Sequence, residues 1–154
     1  MIAEYVDHFV IATTDVFRTM LDCVPKLIEP RWSDNDDGGL GPFHVSAIVG
    51  LSGTIRGTIE MSFPEETAIA ICNKLVSGDN TMLNADVIDA LGEMVNMVSG
   101  GAKAKFVGER MSTSLPSVVK GANYTIKHPS NSQSISIPFE SELGSLLVKV
   151  TINY

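Results

Sequence analysis

A chain of 154 residues, 44% of them hydrophobic, is long enough to enclose one substantial core without disulfides or a structural metal, so a single domain over residues 1–154 is expected. Its formal charge of −7 and pI near 4.8 argue against nucleic acid or an anionic membrane as partner, because both demand clustered lysine and arginine. No apolar run reaches the roughly eighteen residues of a membrane span, and the N-terminus, with Glu4 and Asp7 early, lacks a secretory pattern, so the cytoplasm is the expected compartment.

In chain order, Val6, Val10, Val16, Phe17, Met20 and Leu21 predict an amphipathic helix between Ile2 and Cys23, ended by Pro25. Lys26 to Trp32 reads as a short strand broken by Pro30, and the SDNDDGGLGP run that follows reads as a solvated loop. This acidic run lacks the alternating ligands and distal Glu of a calcium loop. From Phe43 the period becomes two. Phe43, Val45, Ala47, Val49 and Leu51, then Ile55, Ile59, Met61 and Phe63, predict a tight hairpin turned at Ser52-Gly53. Pro64 at a first helical position, with Glu65 and Glu66 beside it, opens a second helix through Val76. Its apolar residues Ala68, Ile69, Ile71, Cys72, Leu75 and Val76 cover a broad face, and Ser77, Gly78 and Asp79 close it.

The longest segment with one consistent period runs from Asn84 to Phe106. At about 100° per residue, Glu93, Asn96, Gly100 and Lys103 fall within roughly 40° of Asp89, while Val87, Leu91, Met94 and Val98 gather opposite. One face is core and the other is offered to something. Asn84 is a good N-cap, Asp86 and Asp89 suit the positive end of the helix dipole, Lys103 and Lys105 suit its negative end, and Gly108 supplies a stop. The middle is unusual: Gly92, Gly100 and Gly101 each cost about 1 kcal/mol of helix propensity relative to Ala. Either a neighbouring helix or a partner surface approaches the backbone there. Met94 and Met97 suit core filling.

Beyond this helix, ERMSTSLPSVVKG shows little regular signal and reads as a loop. Tyr124 and Ile126, then Ile135, Ile137 and Phe139, then Leu146, Val148, Val150 and Ile152, predict three more strands. Pro138 puts the middle one at an edge or a bulge. Hairpins together with a block of helices imply an α+β fold, a largely antiparallel sheet with long helices packed mainly on one face. Cys23 and Cys72, in apolar contexts without metal-type spacing, read as reduced core thiols. His8, His44 and His128 stand singly and form neither a metal cluster nor a nucleophile pair in sequence.

Glu93 and Asn96, three apart, leave one helix face side by side. A carboxamide is a poor base, but it donates to one group while accepting from another, which is what holding a water in line for attack requires. The sequence supplies neither a metal cluster nor a phosphate-cradling glycine loop, so the electrophile and its cation are expected from a partner. Without wider context, a solvated helix face with a tolerated Asn would be the better explanation of the pair.

That context is a resemblance. Asp89-x3-Glu93-x2-Asn96-x3-Gly100, preceded by the GLSGTIRGTIEMSFPEETA run and followed by Ser-Leu-Pro and terminal strands, resembles the CheC, CheX and FliY family of chemotaxis phosphatases. The likeness covers most of the chain and is greatest to the CheX-like members. It implies dephosphorylation of the aspartyl-phosphate of a CheY-type response regulator, with Asn96 orienting the attacking water and Glu93 pairing with a regulator lysine. Asp89, Gly92 and Gly100 would lie at the partner surface, and Asp89 carries no assigned chemical step. No cofactor of the chain's own is implied, since the Mg²⁺ would belong to the regulator; CheX-like members also form homodimers. The second helix reads Ser62-x3-Glu66-x2-Ile69, with Ile where an amide would be needed, so one active helix per chain is expected. A non-catalytic module binding a response regulator or another signalling partner through the same face is the alternative.

Overall fold

Alternation at Val45, Ala47, Val49 and Leu51, and again at Ile59, Met61 and Phe63, builds the central hairpin of the computed structural model, β2 (Val45–Gly53) and β3 (Arg56–Phe63). The structure describes residues 2–32, 42–121 and 130–153. A 3-10 turn at Ile2–Tyr5 leads into α1 (Val6–Leu21), followed by the two-residue β1 (Lys26–Leu27); α2 (Glu65–Val76) and α3 (Ala85–Lys103) follow the hairpin. Four more strands complete the order: β4 (Met111–Thr113), β5 (Ser117–Lys120), β6 (Ser132–Ser141) and β7 (Gly144–Asn153). The acidic loop, apart from Pro42, and the strand expected at Tyr124 and Ile126 lie outside the described residues.

Every pairing between these strands is antiparallel, in the order β1-β6-β7-β3-β2-β4, with β5 also on β2. Pro138 accepts from Ile28 N–H at 2.9 Å, so the side of β6 that lacks its N–H faces the short β1, as a near-edge proline requires. An isolated bridge from Arg31 to Ser136 continues that edge beyond Pro30.

Period two separates the faces of the sheet. Val45, Ala47, Val49, Ile59, Met61, Phe63, Ile137, Val148 and Val150 are buried in one core with Phe9 and Phe17 of α1, Ile71 of α2 and Leu91 of α3. The alternate positions are small and polar: Ser46, Ser62, Ser134, Ser136 and Thr151, all buried. Cross-strand partners bond directly there, Ser46 with Ser62 at 2.6 Å and Ser134 with Thr151 at 2.8 Å. Glu60, 8% exposed, stands opposite Lys149; burial pushes its carboxyl above the usual range, while Lys149 and the Ser46 and Ser62 hydroxyls pull it back. A sheet apolar on one face and polar on the other takes its helices on one side.

Four expectations change in detail. The hairpin turns at Thr54-Ile55 rather than at Ser52-Gly53, because Ser52 and Gly53 extend β2 to pair with β4. Pro64 is the extended N-cap of α2 (φ −61°, ψ 154°) rather than its first helical residue, because its carbonyl already receives Ala68 N–H at 3.1 Å. Val76 is 59% exposed and Met20 44%, so neither joins the core, although Leu21 beside Met20 is fully buried. The ERMSTSLPSVVKG stretch is not a plain loop: β4 and β5 both pair with the outer edge of β2, Leu51 opposite Thr113 and Val45 opposite Lys120. Strands of three and four residues on an edge are too short to show alternation.

Candidate functional site

The site is organised by α3, and the sequence fixes both its start and its orientation. Val87 N–H donates to the Asn84 side chain at 3.0 Å, which satisfies one of the helix's orphan donors. Asn84 in turn donates to the Asn80 side chain (2.7 Å), and the Asn73 side chain both donates to Asn80 O (2.9 Å) and accepts from Asn80 N–H (2.8 Å). Three asparagines thus tie the end of α2 to the beginning of α3. The helix ends at Lys103, sooner than Gly108 would have it: Ala104 is the C-cap, and Gly108, at φ +84°, serves a later turn. Lys105 therefore lies past the helix.

Val87, Leu91, Met94, Val95 and Val98 are buried, the large ones each worth about 1.5–3 kcal/mol. They pin the helix to β2 and β3 and so fix which face looks outward. On that face Asp89, Glu93, Gly100 and Lys103 are exposed, and Asn96 is partly buried. Among the described residues neither the Asp89 nor the Glu93 carboxylate has an ion pair, and the Asn96 carboxamide has no hydrogen bond; only the backbone carbonyl of Asn96 accepts, from the Ser99 hydroxyl at 3.1 Å. Among the described residues no side chain pairs with the side chains of Asp89, Glu93 or Asn96. A carboxylate and a carboxamide therefore stand ready, one turn of helix wide, for groups brought from outside.

The three glycines separate cleanly. A Cβ on Gly101 would lie 3.4 Å from the Ala12 Cβ, in ordinary contact with α1. At Gly92 it would lie 3.5 Å from the Pro116 ring, in ordinary contact with the segment between β4 and β5, so both glycines face packed neighbours of the same chain. At Gly100 it would meet no atom of the described residues within 4 Å. The cost of that last glycine has no return within the described fold.

Pro116 creates a feature that sequence periodicity could not reveal, a shallow open groove lined by Ile88, Asp89, Gly92, Glu93, Pro116 and Val118. Its lining mixes the apolar Ile88, Pro116 and Val118 with the acidic Asp89 and Glu93. The available signal was a leucine and a proline in an otherwise polar ERMSTSLPS run. Cys23 and Cys72 are buried free thiols, and burial raises both above the ordinary thiol range. Among the described residues no three of His, Cys, Asp and Glu converge as a metal site, and no helix is long and apolar enough to cross a membrane.

With this geometry in place, the chain was compared with known proteins. Residues 45–140, more than half of the chain, match the family model described as chemotaxis phosphatase CheX. A CheY-P phosphatase CheX of Thermotoga maritima is 26% identical over 130 residues, 82% of each chain. Among solved structures, a chemotaxis protein CheX from Desulfovibrio desulfuricans superposes with a TM-score of 0.85 at 33% identity, covering 97% of this chain and 99% of its own. The CheX of Vibrio vulnificus gives a TM-score of 0.87 at 29% identity, over 97% and 99% of the two chains.

Proposed function

Since the chain belongs to the CheX family of chemotaxis phosphatases, we propose that it hydrolyses the aspartyl-phosphate of a CheY-type response regulator. The observation that carries this reading is the unpartnered Glu93–Asn96 pair on the outward face of α3, next to a glycine with no internal role. In this reading Asn96 enters the regulator's phosphorylated pocket and holds a water in line with the phosphorus. The water oxygen forms a bond to phosphorus as the bond to the aspartyl oxygen breaks; the carboxylate leaves with the electron pair, and inorganic phosphate is released. The amide removes no proton: its contribution is orientation, worth as much as a misplaced nucleophile would cost. Glu93 meets a regulator lysine, which sets the register of the two surfaces. The Mg²⁺ is the regulator's own, where it neutralises phosphoryl charge.

Gly100, one turn beyond Asn96, gives the regulator's backbone room to approach, and Asp89 flanks the same contact; Gly92, expected at the partner surface, is buried under Pro116 and reaches the contact only as lining of the groove. Two copies of the chain associate through their sheets, and the protein works in the cytoplasm with its regulator. Both statements extend the family resemblance to this chain.

Phosphate release from a Mg²⁺-loaded, phosphorylated CheY-type regulator tests the reading. The native chain should accelerate release, and Asn96→Ala should lose about 10²-fold or more while keeping its fold and much of its binding, the scale on which one positioned polar group matters. Turnover by Asn96→Ala at the native rate would refute the mechanism. Binding without acceleration by the native chain would make it a regulator-binding module.

A further inference from the structure

Leu115 is 87% exposed, yet the backbone on both sides of it is fixed. Ser114 N–H donates to Gly50 O at 2.9 Å, Gly50 N–H donates to the Ser114 hydroxyl at 2.8 Å, and that hydroxyl donates to Leu115 O at 2.9 Å. On the other side Pro116 rests on α3 at Gly92. Isolated apolar side chains on a surface need no explanation by themselves. Leu115 differs in two respects: it is held rigidly, and it precedes the proline that forms one wall of the groove shared with Asp89 and Glu93.

We infer that Leu115 is a specificity-determining contact, an apolar knob that fits a hollow on the regulator beside its phosphorylated pocket. The inference rests on the phosphatase reading for the identity of the partner. Gly92 lies one helical turn before Asn96, and Pro116 touches it, so a protein surface that brings its acyl phosphate to Asn96 is carried over the groove and onto Leu115. The chemical pair gives little means of choice, because every phosphorylated receiver offers it an acyl phosphate and a cation. A leucine discriminates by shape and hydrophobicity: regulators with an apolar hollow gain its burial, and those presenting charge there strand that charge against it. Its fixed backbone means little ordering is required on binding. Leu115 takes no part in the bond-making step and therefore acts on affinity alone.

The test titrates native and variant proteins against a regulator loaded with Mg²⁺ and beryllofluoride, an unreactive phosphoryl analogue, and measures steady-state phosphate release in parallel. Leu115→Ala and Leu115→Asp should weaken binding about tenfold or more, on the scale of one buried leucine, and raise KM in step. Their kcat and melting temperature should stay native, since the side chain supports nothing in the fold. Leu115→Met should restore most of the affinity. Val24→Asp, altering a 60% exposed residue between α1 and β1, should change neither quantity. A native Kd for Leu115→Asp overturns the inference. Leu115-dependent binding without phosphate release supports it while refuting the catalytic reading, and absence of binding by the native protein removes both.

Discussion

At the scale of single residues, the glycines of α3 distinguish internal from external causes. Gly92 and Gly101 are each met by a neighbour of the same chain, at 3.5 and 3.4 Å from where a Cβ would be, whereas Gly100 faces open space. Gly100→Ala should therefore stabilise the isolated protein by about 1 kcal/mol, raising the melting temperature by roughly 2–4 °C. In the complex the same methyl would stand where the regulator approaches, so affinity should fall while stability rises. A more stable variant with native affinity would place Gly100 outside the contact. The sequence already showed that three helix-weakening residues needed a reason, but periodicity could not say which of them packed internally. That assignment depends on Ala12 and Pro116, far away in the chain, and only the folded arrangement brings them to the helix.

At the scale of elements, α3 was legible because its signals agree: an N-cap, an apolar stripe, acids at the start and a lysine near the end. The β2–β3 hairpin was legible for the same reason, with apolar residues at every second position from Val45 to Leu51 and from Ile59 to Phe63, although its turn falls two residues later than Ser52-Gly53. β4 and β5 were not, since an edge strand of three or four residues is made by its partner rather than by its own pattern. The groove beside Glu93 was hidden with them, because it exists only once that segment is laid against α3. The Asn73–Asn80–Asn84 network belongs to this scale as well. Asn84→Ala removes both the cap of α3 and its link to Asn80, and should cost about 1 kcal/mol, up to about 2. Amide exchange should quicken first in the opening turn of α3, with Val87 most affected; uniform exchange across the helix would show that the cap is not a local anchor.

At the scale of the whole molecule, one layer of helices on one sheet leaves two kinds of sheet boundary. The β1 edge is two residues long and the β2 edge is shared by two short strands, both arrangements that limit indiscriminate strand addition. Association of two copies through their sheets should give a sedimentation mass twice the chain's 16.5 kDa at micromolar concentration. A species of 16.5 kDa at that concentration would count against the dimer. Strand order carries a further consequence. β7 lies between β6 and β3, with Ile59 opposite Val150 and Ile135 opposite the same residue, so the middle of the sheet comes from a strand later in the chain than every other described strand. A ribosome making this protein holds an unfinished platform until Asn153 clears the exit tunnel. Until then β2 and β3 can close as a hairpin and α3 can coil, but the surface that presents Asn96 has no complete sheet beneath it.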